Sequence, residues 1–166
     1  MVRTTALAVG AAIALLASSS VFAQDEAQRF KLIDRLQTAG ATAAMLGICE
    51  DAGYVPRDDA VMSQFNGAVS FATDAGMAEE TASDYVTAGM HGRNGEIEAS
   101  MRRIQRLIKD DDPTWRTAAE AYVKDIAGRC DLLAKGRSTA GLFSYSPLSA
   151  AAAAHVMRDR MGLNPR

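Results

Sequence analysis

The chain has 166 residues, 48% hydrophobic and 6% aromatic, with 18 basic and 20 acidic side chains and a formal net charge of −2. That length suits one domain with a real core, and the near-neutral charge gives no reason to expect nucleic acid or an anionic membrane as partner. Sparse aromatics, with 8 methionines and abundant alanine, favour helices packed closely through small side chains.

The first 23 residues read as a secretory signal peptide. Arg3 supplies a minimal basic start, Ala6 to Ala17 is an uncharged apolar run, and Val21 and Ala23 put small residues at the cleavage positions. The run is short for a membrane span, and polar QDEAQR follows it without a basic flank. The mature protein is expected to start near Gln24, to carry a net charge of about −3 once Arg3 is removed, and to reside in the periplasm or be secreted. No transmembrane segment is expected in it.

A first helix is expected from about Asp25 to Asp51, with Gly53 just beyond it. Phe30, Ile33, Leu36, Gly40, Ala43, Ala44 and Gly47 recur at helical spacing. From Ala39 to Cys49 the pattern is apolar all round, which marks a centrally buried segment. Cys49 lies off the first stripe, beside Thr42, Met45 and Leu46. Either the helix end is wrapped on both sides, or Gly40 or Gly47 bends it.

Pro56 and Asp58 signal the start of a second helix and Gly76 its stop, with Val61, Met62, Phe65, Ala68, Val69 and Ala72 as the buried stripe. A third, shorter segment, EETASDYVTAGM, turns Ala82, Tyr85, Val86, Gly89 and Met90 inward. The three glycines between residues 89 and 95 favour an interruption at HGRNG over one long helix from Glu79 to Lys109. Asn94 then caps a fourth segment, whose Ile97, Met101, Ile104 and Ile108 form a clean apolar line. Asp112 and Pro113 start the next helix, which carries Trp115, Ala119, Tyr122, Ile126, Cys130 and Leu133 on one stripe. After Gly136 a loop leads to a last, alanine-rich helix started by Ser146 and Pro147 and stopped by Gly162, with little to bury.

Cys49 and Cys130 are the only cysteines. In an oxidising compartment an even pair reads as a disulfide, and no CxxC or zinc-like ligand spacing competes with it. Closing a loop of about eighty residues stabilises by roughly 4–5 kcal/mol in the chain-entropy treatment. The expected fold is all-α: a compact bundle of four to five helices with one disulfide and a C-terminal helical extension. Residues 24–136 form the helical domain, and 137–166 form a loop and a C-terminal helix that is either semi-detached, docked weakly through Leu148, Val156, Met157 and Met161, or, with LFSY, a partner-binding element or swapped arm.

No segment carries a specific catalytic or cofactor motif, so no catalytic residue, metal ligand or cofactor is assigned. GMHGRNGEIE gathers His91, Arg93 and Asn94 with Glu96 and Glu98, an arrangement that could hold an anion or pair an acid with a base. A glycine-rich helix junction explains the same residues. Arg102, Arg103 and Arg106 line the face opposite the apolar line of their helix, as a docking stripe or as a solvated face paired with nearby acids. Phe143 and Tyr145 sit in the loop before the last helix and could meet a partner.

The expected function is a non-enzymatic periplasmic binding or interaction protein: an envelope chaperone, an inhibitor or immunity-like factor, or an accessory subunit of an envelope complex. Its partner is expected to be another envelope protein, and a homo-oligomer is compatible with the sequence. A haem- or metal-binding bundle using Met and His is the alternative, followed by a small enzyme centred on His91.

Overall fold

The computed structural model describes residues 8–144 and 148–164, with side chains from residue 26 onward. Among the described residues it is all-α, with α1 Ala8–Asp51, α2 Ala60–Asp74, α3 Glu79–Lys109, α4 Trp115–Lys135 and α5 Ala150–Arg160, plus a 3-10 turn at Ala140–Leu142. None of these helices is long and apolar enough to cross a membrane. Two compact units are present, Met1–Arg35 and Leu36–Arg166. In the first, the side chains of residues 26–31 are exposed, including Phe30.

In the second unit the core forms where α1 is apolar on every side. Ala43, Ala44, Met45 and Leu46 are consecutive and all buried, so this end of the helix is wrapped rather than one-sided. That resolves the position of Cys49, which is fully buried without being on the first stripe. It is bonded to Cys130, equally buried on α4, with the Cα atoms 5.5 Å apart. Around the bridge pack Tyr54, Val123, Ile126, Ala127, Leu142, Phe143, Ala153 and Met157. Gly47 departs from the expected stripe and is exposed.

Helix ends follow local chemistry. After α1, the Gly53 amide donates to the Glu50 carbonyl at 2.9 Å and the Tyr54 amide to that of Cys49 at 3.0 Å. This paired closure needs a left-handed residue, and Gly53 supplies it at φ +88°. Gly76 and Gly162 end α2 and α5 in the same way, and Asp111 ends α3 with φ +52° despite its side chain. Asp112 accepts from the Thr114 amide at 2.9 Å and the Thr114 hydroxyl at 2.7 Å in the turn before α4, but the N-cap is Thr114 rather than Asp112, and Pro113 precedes the helix instead of opening it. At α2, neither Asp58 nor Asp59 caps through its side chain. Asp59 instead pairs with Arg57 at 2.8 Å. Its stripe is also narrower than expected, with Val69 and Ala72 buried but Met62 58% exposed.

Two expectations are corrected. The first concerns HGRNG, which does not break a helix: α3 runs unbroken from Glu79 to Lys109, and Asn94 is an exposed mid-helix residue rather than a cap. Gly89 is held there by packing, because a Cβ on it would run into the backbone of Gln37 on α1. A close helix crossing offsets the propensity cost of glycine, which is about 1 kcal/mol per residue.

The second concerns the tail. The C-terminal helix is not detached, because Ala153, Ala154 and Met157 belong to the core around the disulfide. Its cap is Ser149, whose hydroxyl oxygen accepts from the Ala152 amide at 3.2 Å; Ser146 and Pro147 lie outside the described residues. Small alanine side chains bury little area each, yet they let α5 approach α4 closely. The preceding loop is fastened as well. The Arg57 amide donates to Leu142 at 2.8 Å and the Ser144 amide to Val55 at 2.8 Å, flanking an antiparallel bridge between Pro56 and Phe143.

Candidate functional site

An open groove of about 430 Å³ runs between α3 and α4. From α3 it takes Ser100, Arg103, Ile104 and Leu107, which recur at three- and four-residue steps and so share one face. From α4 it takes Thr117, Ala118, Ala121, Tyr122 and Asp125, again at helical steps, with Thr114 just before the helix. The short side chains of Ala118 and Ala121 leave the space, while Ile104 and Leu107 give it an apolar floor. Ile104 is only 4% exposed, so the floor is continuous with the packing of α3 on α4.

The polar groups of the groove differ in how far they are already committed. Ser100 donates to the Glu96 carbonyl at 3.1 Å, and Thr114 donates to Asp112. Asp125 is paired with Arg129 one turn along α4 at 2.9 Å. Among the described residues Arg103 has no ion pair. Burial raises the Tyr122 phenol above its ordinary value, with Asp51 and then Asp125 adding to the shift. The phenol therefore stays protonated as a hydrogen-bond donor and is a poor base or nucleophile at neutral pH. Taken together, the groove offers one free guanidinium, hydroxyls and an apolar floor: equipment for holding a ligand.

The site residues expected from sequence are not gathered in one place. His91 and Asn94 are exposed on α3, and Arg93 pairs with Glu96 at 2.7 Å, with its Nε buried and lacking a hydrogen-bond partner. Glu96 also lies 3.9 Å from Arg129, which ties this part of α3 to α4. Arg102 is paired with Glu98 at 3.0 Å, both well exposed, as the solvated-face reading has it. Arg106 is exposed in the last turn of α3. Of the basic stripe, Arg103 alone lines the groove.

Phe143 is 9% exposed and tilted against Tyr54 with ring centroids 5.8 Å apart. It belongs to the core around the disulfide. Tyr145 lies outside the described residues. Among the described residues no three His, Cys, Asp or Glu side chains are grouped as metal ligands.

Sequence reasoning missed Thr114, Thr117, Tyr122 and Asp125 as groove residues. Their spacing was the available signal, but Tyr122 read equally well as core, and only its packing beside α3 separates the two.

No family model matches the chain, and no curated protein or solved structure is significantly similar to it.

Proposed function

We propose that this is a non-enzymatic periplasmic binding or interaction protein that engages its partner, a component of the cell envelope, through the groove between α3 and α4. The observation that carries the reading is the groove itself: an open, mixed polar and apolar surface with an uncommitted guanidinium. It lies on a scaffold whose ends are tied together by a buried disulfide. The bridge fixes α4 to α1, and Glu96 lies 3.9 Å from Arg129 between the two helices that form the walls. The periplasmic assignment is supported by the apolar N-terminal run with small residues at Val21 and Ala23, and by a cystine, which persists where the surroundings are oxidising.

A photo-crosslinking residue placed at Thr117 and, separately, at exposed Lys124 of α4 tests the binding surface in intact cells. A discrete product is expected from position 117 alone, and it should disappear when Ala121→Trp fills the groove. Equal labelling from both positions, or none, would reject the reading. N-terminal sequencing of the protein from the periplasmic fraction is expected to begin near Gln24; retention in the cytosol with an intact leader would reject the location.

A further inference from the structure

We propose that the groove between α3 and α4 is a binding site for a small organic monoanion, a carboxylate joined to a short apolar body. This rests on reading the groove as the binding surface and adds the chemical class of what enters it. Two ionic side chains line the groove. Asp125 is paired with Arg129 at 2.9 Å, whereas Arg103 has no ion pair among the described residues. An anion on the α3 wall would meet Arg103 as an unpaired partner.

Arginine presents its N–H groups in a planar fork that fits the two oxygens of a carboxylate. Below it, Ile104, Leu107, Ala118 and Ala121 supply an apolar wall for the rest of the ligand. The Thr117 hydroxyl makes no hydrogen bond among the described residues, so it is free for a further polar contact. A volume of about 430 Å³ suits a small molecule. Arg106 provides an internal control, since it is exposed and without an ion pair among the described residues yet stands outside the groove wall.

The test is a titration of the purified protein by amide NMR with three shape-matched probes: 4-phenylbutyrate, its primary amide and 4-phenylbutylamine. Phenylbutyrate is expected to shift the amides of Thr117, Ala118, Ala121 and Tyr122 in a saturable way. The neutral amide should bind about tenfold more weakly, the amine should not bind, and Arg103→Gln should weaken phenylbutyrate by about tenfold while Arg106→Gln leaves it nearly unchanged. Both arginines are exposed, so both variants are expected to fold. If the amide binds as well as the acid, or if Arg103→Gln has no effect or Arg106→Gln an equal one, the anion class is wrong and the groove still stands as a binding surface. If no probe moves the groove amides, the inference is overturned while the photo-crosslinking result judges the broader reading separately.

Discussion

Gly40 of α1 lies directly against the backbone of Val86 on α3. A Cβ built on Gly40 would overlap the Val86 carbonyl oxygen and stand 2.9 Å from the Met90 amide nitrogen. Gly89 returns the contact, since a Cβ there would overlap the Gln37 carbonyl. The two glycines thus set the distance between α1 and α3. Gly92 and Gly95, one and two turns further along α3, have no atom within 4 Å of such a Cβ.

This relationship predicts opposite effects for the same substitution. Gly40→Ala and Gly89→Ala should each cost about 2 kcal/mol or more, because overpacking outweighs the gain in helix propensity. Gly92→Ala or Gly95→Ala should instead stabilise by about 0.5–1 kcal/mol. Urea denaturation of the four variants decides the matter, and similar effects at all four positions would contradict the close crossing.

The Cys49–Cys130 bridge closes 81 residues of sequence separation with both residues fully buried. Replacing both cysteines with alanine should lower stability by about 4 kcal/mol. The intact protein should resist alkylation and mild reductant until denaturant is added, as followed by mass spectrometry. Rapid labelling under native conditions would be incompatible with the burial.

Removing α5 should expose the core beside the disulfide. Met157→Ala is expected to cost about 2–3 kcal/mol, and truncation after Ser144 should destabilise more than that, seen as a large drop in thermal midpoint. The surface ion pairs that flank α5 matter less. Arg158 meets Glu120 at 2.9 Å and Arg160 meets Asp51 at 2.7 Å, with all four side chains at least a third exposed. Arg158→Met should therefore change stability by under about 1 kcal/mol. A truncated protein that melts like the full chain would show that the helix is dispensable to the core.

Alkaline pH should weaken the fold through two tyrosines. Burial, and secondarily Asp131, raises the Tyr54 phenol above 10.0; burial, then Asp51 and Asp125, raises that of Tyr122. Each proton is held more tightly in the folded chain than in the unfolded one. Their contribution is complete below pH 10.0 and is lost as pH rises through the higher folded values. Tyr54 also donates to the Leu148 carbonyl at 3.1 Å, a bond that phenolate cannot make. Tyr122→Phe should flatten part of the alkaline decline, measured by denaturation at a series of pH values with tyrosinate absorbance in parallel.

At the acid end, Asp112 is held below 3.8 by the Thr114 hydroxyl first and the Thr114 amide second. Its contribution is present above 3.8 and lost as pH falls through the folded value. Thr114→Val should move the Asp112 titration, followed by carboxyl NMR, back towards the ordinary position.

Much of the architecture could be read directly from residue order. Helical stops at Gly53, Gly76 and Gly162 depend on the few residues around them, so local chemistry sufficed. The disulfide followed from there being two cysteines, one in an all-round apolar stretch and one on a core stripe. Of the docked face of α5, Leu148, Met157 and Met161 could be read from sequence and do pack on the core, but the burial of its alanines could not. Alanine helices look self-sufficient in sequence, and their burial depends on a surface that α4 and the Leu142–Phe143 loop create only once folded. The groove was hidden for a similar reason: Arg103 looked like one of several surface arginines, and Tyr122 like one more core residue.

Residue order therefore determined what the chain can form by itself: helices of a given phase, their ends and one covalent tie. Tertiary structure decided which glycine breaks a helix and which lets two helices touch, and which free charge faces a cavity. The physical reason is range. Periodicity and capping act over a single turn, whereas the Gly40–Gly89 crossing, the cystine and the packing of α5 each join residues far apart in sequence.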